Sequence, residues 1–161
     1  MTIDVDSFKK ALQNWASGVT VVTTKTDRFG CQGMTATAFS SVSASPPLVL
    51  VCLNKSADTA EGIKESQCFA VNILNSDQQE ISNSFAGGSS QEERFKSVSW
   101  SEAATGSPIL DSSLASLDCR VVNQVFAGTH WVIIGEVQDA ICRSGEPLLY
   151  YQGAYQAILK P

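Results

Sequence analysis

Residues Gly33 to Ser56 read GMTATAFSSVSASPPLVLVCLNKS, and this stretch carries the decision about the fold. Its second half, Pro47 to Leu53 (PLVLVCL), is a continuous apolar run rich in branched side chains. Such a run suits a β-strand buried on both faces. Its first half, Gly33 to Ser43, threads five hydroxyl side chains through eleven residues. In an extended segment Thr35, Thr37 and Ser41 are expected on one side. Two readings fit: an ordinary strand edge, or an uncharged cradle in which hydroxyls and backbone N–H groups hold an anionic ligand.

Outward from this stretch the chain stays β-rich. VTVVTTK (19–25) is β-branched, DRFG (27–30) reads as a turn, and FAVNIL (69–74) is a further strand. Strands are expected over 115–126 and 130–142 around a turn at Ala127-Gly128-Thr129, then a turn at Ser144-Gly145 and a short strand at Leu148–Tyr151. Helices punctuate this pattern. Phe8, Leu12 and Trp15, with Ala11 and Ala16 beside them, recur at helical spacing, with Asp6 or Ser7 available as the cap. Helices are also expected at 57–66 and at 76–86, where Ser76 and Gln79 have capping-box spacing. The polar section 87–107 reads as loop-rich. Many strands, hairpin turns and few helices point to a mainly β, antiparallel barrel with helical plugs. No βαβα alternation and no GxGxxG after a strand occurs, which disfavours a dinucleotide-binding α/β fold.

Composition narrows the function classes. With 161 residues, 43% hydrophobic and 17% charged, and a mean hydropathy of +0.02, the chain is expected to fold as a single domain over 1–161. Its net charge is −5, and the 11 Lys and Arg form no basic run, so no nucleic-acid partner is expected. The longest apolar stretch, Pro46 to Leu53, is far too short to cross a bilayer, so no membrane partner is expected. The N-terminus shows no signal-peptide apolar core, and a cytoplasmic location is expected. Five cysteines, an odd number without a CxxC pair, read as reduced and mostly buried small hydrophobes. A lone histidine, His130, excludes a multi-histidine metal site, and no nucleophile elbow or phosphate-binding P-loop is present. Any difficult chemistry therefore falls to a cofactor. Cys52-Leu53-Asn54-Lys55-Ser56, at the exit of the apolar strand and the entry to a helix, suits an anion, although a helix with Ser56 satisfying its own backbone reads equally well.

Six segments, in order, resemble the short-chain flavin reductases, the reductase partners of two-component flavin-dependent monooxygenases. They are GVTVVTT (18–24), GMTATAFSSVSASPPLVLVCLNKS (33–56), FAVNIL (69–74), Phe85-Ala86-Gly87, GTHWVIIGEV (128–137) and PLLYYQGAY (147–155). The resemblance implies an FMN-binding split β-barrel of antiparallel, Greek-key type with a few flanking helices. It also implies a homodimer, and hydride transfer from NADH or NADPH to FMN or FAD, with reduced flavin passed to a monooxygenase. A flavin-binding electron-transfer protein on the same barrel, without NAD(P)H turnover, is the alternative. Carried over by position, flavin contacts are expected from Met34, Thr35, Ala36, Thr37, Ser40 and Ser41, and from Cys52, Leu53, Asn54, Lys55 and Ser56. Phe85, Ala86 and Gly87 match a third contact region. His130, the expected catalytic residue, matches a histidine associated with the nicotinamide, and Tyr150 and Tyr151 match a segment near the same face. One departure stands out: Thr129 occupies a position where aspartate is usual.

Overall fold

The computed structural model describes residues 2–159. In chain order the elements are α1 (Val5–Leu12), β1 (Ser17–Gly18), β2 (Thr20–Thr26), β3 (Gly30–Ala36), β4 (Phe39–Ala44), β5 (Pro47–Asn54) and α2 (Asp58–Ser66). There follow β6 (Cys68–Ile73), α3 (Gln79–Ala86), α4 (Gln91–Lys96), β7 (Trp100–Glu102), β8 (Pro108–Leu110), β9 (Ala115–Ala127), β10 (His130–Cys142), β11 (Leu149–Tyr151) and β12 (Ala154–Gln156). The expected mainly β, antiparallel architecture is the one observed.

Seven strands form one antiparallel sheet in the order β3-β2-β6-β9-β10-β5-β4. Its two edge strands, β3 and β4, are consecutive in the chain and joined only by Thr37 and Ala38. Two residues cannot cross a flat sheet of seven strands at about 4.8 Å per step. The sheet must therefore curl until its edges meet at that corner, and the Cys52 N–H donates to the Ala38 carbonyl there (3.0 Å). β3 and β4 are not hydrogen-bonded neighbours in this order, so the barrel is split along this seam.

The barrel interior holds Val22, Val51, Leu53, Phe69, Val71 and Ile133, with Ile63 of α2 reaching the same core. A second core lies on the outer side of β2, where Val19 and Val21 meet Phe85, Phe95, Leu110 and Leu148. Burial on both faces belongs not to β5 but to β6 and to β2. The threonines of β2 disguise this in sequence: Thr20 donates to the Ala36 carbonyl (2.6 Å) and Thr24 to that of Cys68 (2.8 Å), so each buried hydroxyl is satisfied. β5 alternates instead, with Val49, Val51 and Leu53 sealed and Leu48, Leu50 and Cys52 half-buried on its outer face.

Two local expectations are corrected and a third is refined. Helix α1 is capped by Asp4, whose carboxylate accepts the Ser7 N–H (2.9 Å), rather than by Asp6 or Ser7. The Ser76–Gln79 box does not form, because α3 begins after Gln78 and the Ser76 N–H is taken by Asn75. Section 87–107 is not all loop: a reciprocal capping box at Ser90 and Glu93 starts α4, and β7 follows. Of the five cysteines, all free, Cys68 and Cys119 are buried, Cys31 and Cys52 are half-buried, and Cys142 is exposed. No helix among the described residues is long and apolar enough to cross a membrane.

Candidate functional site

Outside the seam lies a small sheet, β1-β11-β12, with α1 beside it. Between this assembly and the barrel runs a cleft of about 520 Å³. Its floor is Thr37, Ala38, Phe39 and Ser40 at the corner, with Leu50 and Cys52 of β5; its far wall is Tyr150 to Gly153 and the end of α1. Lys9 is the one charged side chain lining it. Burial pushes the Cys52 thiol above its ordinary value, so it stays protonated and neutral at physiological pH. A cleft with flat aromatic walls, hydroxyls and a neutral thiol suits a planar, polar-edged ring.

Paired residues on adjacent strands share a face. Leu50 pairs with Ile134, Cys52 with Val132, and Asn54 with His130. The cleft floor therefore continues along the outer face of β5 and β10 to Asn54 and His130, about 7 Å beyond Cys52 at two residues of strand rise. At that end the Lys55 N–H donates to the Thr129 carbonyl (3.0 Å), and His130 Nδ1 lies 2.9 Å from the Thr129 hydroxyl. Threonine here meets the imidazole as a neutral partner, where aspartate would bring a charge. Asn54 Oδ1 accepts from the Ser56 N–H (3.0 Å) and hydroxyl (2.9 Å), which folds the turn between β5 and α2. Helix α2 itself begins at Asp58, so Ser56 stands before the helix and does not cap it.

Of the positions singled out by sequence, Thr37, Ser40, Cys52, Tyr150 and Tyr151 line the cleft. Asn54, Lys55, Ser56 and His130 form the neighbouring cluster. The others turn elsewhere. Met34 and Ala36 face the barrel core and Leu53 is sealed in it. Thr35 shares a parity with Thr37, but its hydroxyl donates to the Ser82 carbonyl (2.7 Å). Ser41 pairs with Val49 and falls on the opposite face of β4 from Ser40. Phe85 is 1% exposed, and its ring approaches so near that a Cβ on Gly33 would lie 2.8 Å from it. Side chains at Leu53 and Phe85 offer a ligand no face. Ala86 and Gly87 end α3 at the surface, outside the cleft lining. Sequence reasoning missed the contribution of Lys9 and Leu12 of α1, of Gln13 and Trp15 just after it, and of Gln152. The uncovered stripe of α1 was the signal available.

The flavin reductase like domain model matches residues 12–159. The chain belongs to that family. This flavin reductase like domain is 42% identical over 147 residues to an FMN reductase (NADH), RutF, of Pseudomonas syringae, covering 91% of the chain and 82% of the relative. It is 37% identical to the reductase subunit HsaB of a flavin-dependent monooxygenase from Rhodococcus jostii, covering 97% of the chain and 79% of the relative. A solved structure of the Streptomyces globisporus NADH:FAD oxidoreductase SgcE6, in complex with NAD and FAD fragments, superposes with a TM-score of 0.90. That pair is 30% identical, with 99% of the chain and 97% of the solved one covered.

Proposed function

We propose that this flavin reductase like domain oxidises NADH or NADPH, reduces FMN or FAD, and delivers the reduced flavin to a partner monooxygenase. The observation that carries this reading is a family match over nearly the whole chain, with relatives named as an NADH-dependent FMN reductase and a monooxygenase reductase subunit. When bound, the flavin supplies the hydride-accepting chemistry. The protein then has to hold two flat rings face to face and to stabilise the charge that arrives. The cleft suits both demands, since Tyr150 and Tyr151 wall it, Thr37 and Ser40 give it hydroxyls, and Cys52 keeps its floor uncharged.

In this reading the flavin is held by Met34, Thr35, Ala36, Thr37, Ser40 and Ser41, by Cys52 to Ser56, and by Phe85, Ala86 and Gly87. Buried members of this set act through their backbone. Lys55 and Ser56 take the anionic tail; His130, Tyr150 and Tyr151 serve the nicotinamide. The single-domain chain works as a homodimer in the cytoplasm. Support for a second copy comes from exposed apolar side chains on the β9–β10 hairpin, Val122, Val125 and Phe126, and on α1.

The test is turnover in a four-way matrix of FMN or FAD with NADH or NADPH, read as loss of dihydronicotinamide absorbance. No flavin-dependent loss with either nucleotide removes the reductase reading and leaves the electron-transfer alternative. His130→Ala is expected to lower kcat/KM for the nucleotide by about 1–3 kcal/mol in transition-state terms, with flavin affinity unchanged. Wild-type kcat/KM in that variant makes His130 a bystander at a hairpin end.

A further inference from the structure

The outer wall of the cleft is a poor candidate for standing on its own. β11 and β12 are three residues each, β1 adds two pairings, and hairpins of this size are not independently stable. The two-residue turn Gln152-Gly153 has positive φ at both positions (50° and 77°), which closes the hairpin tightly. It does not fix where the hairpin sits.

Besides its two pairings with β1, three ties could fix it. At the base, Leu148 is buried and exchanges backbone hydrogen bonds with Val19 and Leu74. At the tip, the Gln152 N–H donates to the Gln13 carbonyl (3.1 Å). That second tie leads only to α1, which has no buried residue and is itself in need of an anchor. The third tie is Tyr155. Its hydroxyl donates to Asn83 Oδ1 (2.8 Å) and lies 2.8 Å from the Ser82 hydroxyl, both on α3. Ser82 is buried, and its carbonyl receives the Thr35 hydroxyl of β3 (2.7 Å). On the other side, the Tyr155 ring meets the ring of Tyr150, its cross-strand partner, edge-on at 5.4 Å. Tyr150 lines the cleft.

A connected path therefore runs from β3 through α3 and Tyr155 to the aromatic wall. We propose that Tyr155 is a positioning residue: its hydroxyl latches the β11–β12 hairpin to α3, and its ring sets Tyr150 against the cleft. The consequence for catalysis rests on the reductase reading, in which Tyr150 faces the nicotinamide. Tyr155 itself is not among the cleft-lining residues, so its effect passes through Tyr150.

Tyr155→Phe keeps the ring and removes both hydroxyl bonds. It is expected to raise KM for NADH about three- to tenfold, the worth of one net hydrogen bond, with kcat changed less than about twofold. Asn83→Ala removes one of the two hydroxyl partners and is expected to give a smaller shift in the same direction. Combined, the two changes should add little beyond Tyr155→Phe alone, because that change already breaks the whole latch. Tyr155→Ala, which also removes the ring from Tyr150, should raise KM further. Amide exchange over residues 149–156, measured without ligand, should quicken in Tyr155→Phe and in Asn83→Ala while the barrel strands stay protected. That arm reads the latch without turnover, whereas wild-type turnover reads the reductase assignment, so the two can fail separately. Wild-type KM and exchange in Tyr155→Phe, additive effects in the double variant, or a loss confined to kcat would each overturn the proposal. Should Tyr155→Phe fail to fold, Asn83→Ala, on the exposed side of α3, decides alone.

Discussion

Leu53 and Leu50 stand three residues apart on one strand, and their surroundings have little in common. Leu53 is wholly buried with Val51, Phe69 and Ile133, whereas Leu50 is half-buried and forms part of the cleft floor. The same contrast separates the barrel from the assembly that faces it. Val22, Val51, Leu53, Phe69, Val71 and Ile133 of the barrel are sealed to 1% exposure or less, while Phe8 and Leu12 of α1 and Trp15 just after it are 51%, 54% and 77% exposed. The barrel completes its own core. The cleft wall is a surface made by the chain but not covered by it.

The largest effect is expected where this contrast is tightest. Leu53→Ala should cost about 2–5 kcal/mol, since it removes a fully buried side chain and leaves a cavity in a barrel that cannot collapse around it. Leu50→Ala should cost less than about 1 kcal/mol and instead weaken flavin binding. Urea midpoints at constant m-value measure the first, and flavin fluorescence titration the second. Equal stability losses at the two positions would erase the distinction between sealed and open faces of β5.

A smaller loss is expected at the edge of the barrel. β3 is a sheet edge, and α4 covers it: Gln91 accepts the Gly33 N–H (2.9 Å) and Arg94 donates to the Gly33 carbonyl (2.9 Å). This helix has only six residues and relies on the box in which the Ser90 hydroxyl accepts the Glu93 N–H. Ser90→Ala should cost about 0.5–2 kcal/mol by thermal or urea unfolding. No measurable loss would mean that Phe95, packed edge-on against Phe85 and Trp100, holds α4 without its cap.

These three positions also mark what a sequence reader could and could not see. The long strands were legible, because β-branched runs and turn residues announce them locally, whereas the short strands β1, β7, β8 and β12 were not. Which face of a strand is covered was not. PLVLVCL reads as doubly buried because its outer residues are as apolar as its inner ones, and only the cleft explains why Leu50 and Cys52 stay open. β2 was the converse case, doubly buried but rich in threonine. Capping boxes misled for a similar reason: Ser76–Gln79 has the spacing but Asn75 takes the serine N–H, while the true box hid in a polar run behind two glycines. Within the candidate site, the hydroxyl at Thr37 was readable from alternation, which pointed to Ser41 beside it, whereas Ser40 was named only by the resemblance. The wall from α1 and Gln152 was not readable: the apolar spacing of Phe8, Leu12 and Trp15 marks a stripe but does not say which surface it faces.

On α1 the expected stability effect is smaller still. Leu12→Ser and Trp15→Ser remove exposed apolar surface, so each should change barrel unfolding by no more than about 0.5 kcal/mol. If the exposed stripe is where a second copy sits, the same variants should move the sedimenting species from dimer toward monomer at micromolar concentration. Unchanged dimer in both would place the interface elsewhere, with the β9–β10 hairpin as the remaining apolar surface. A stability loss as large as that of Leu53→Ala would contradict the independence of barrel and arm.

No stability change at all is expected from the reactivity of Cys52, yet it reads the open face most directly. Burial raises its thiol pKa, because the thiolate would have to form in a half-buried, largely apolar place. The sign follows from that: at neutral pH the thiolate fraction is below that of an ordinary cysteine, so alkylation by iodoacetamide should be slow. The rate should keep climbing as pH rises past the range where a free cysteine has already levelled off. Cys142, exposed on β10, should be modified first, and the fully buried Cys119, whose thiol is pushed up to about 12, last. Peptide mapping over a pH series gives the three rates separately. FMN added beforehand should slow Cys52 and leave Cys142 untouched, since only Cys52 lines the cleft. Protection of neither would remove the cleft floor from the flavin site, and rapid modification of Cys52 at neutral pH would show that its face is more open than the half-burial described for it.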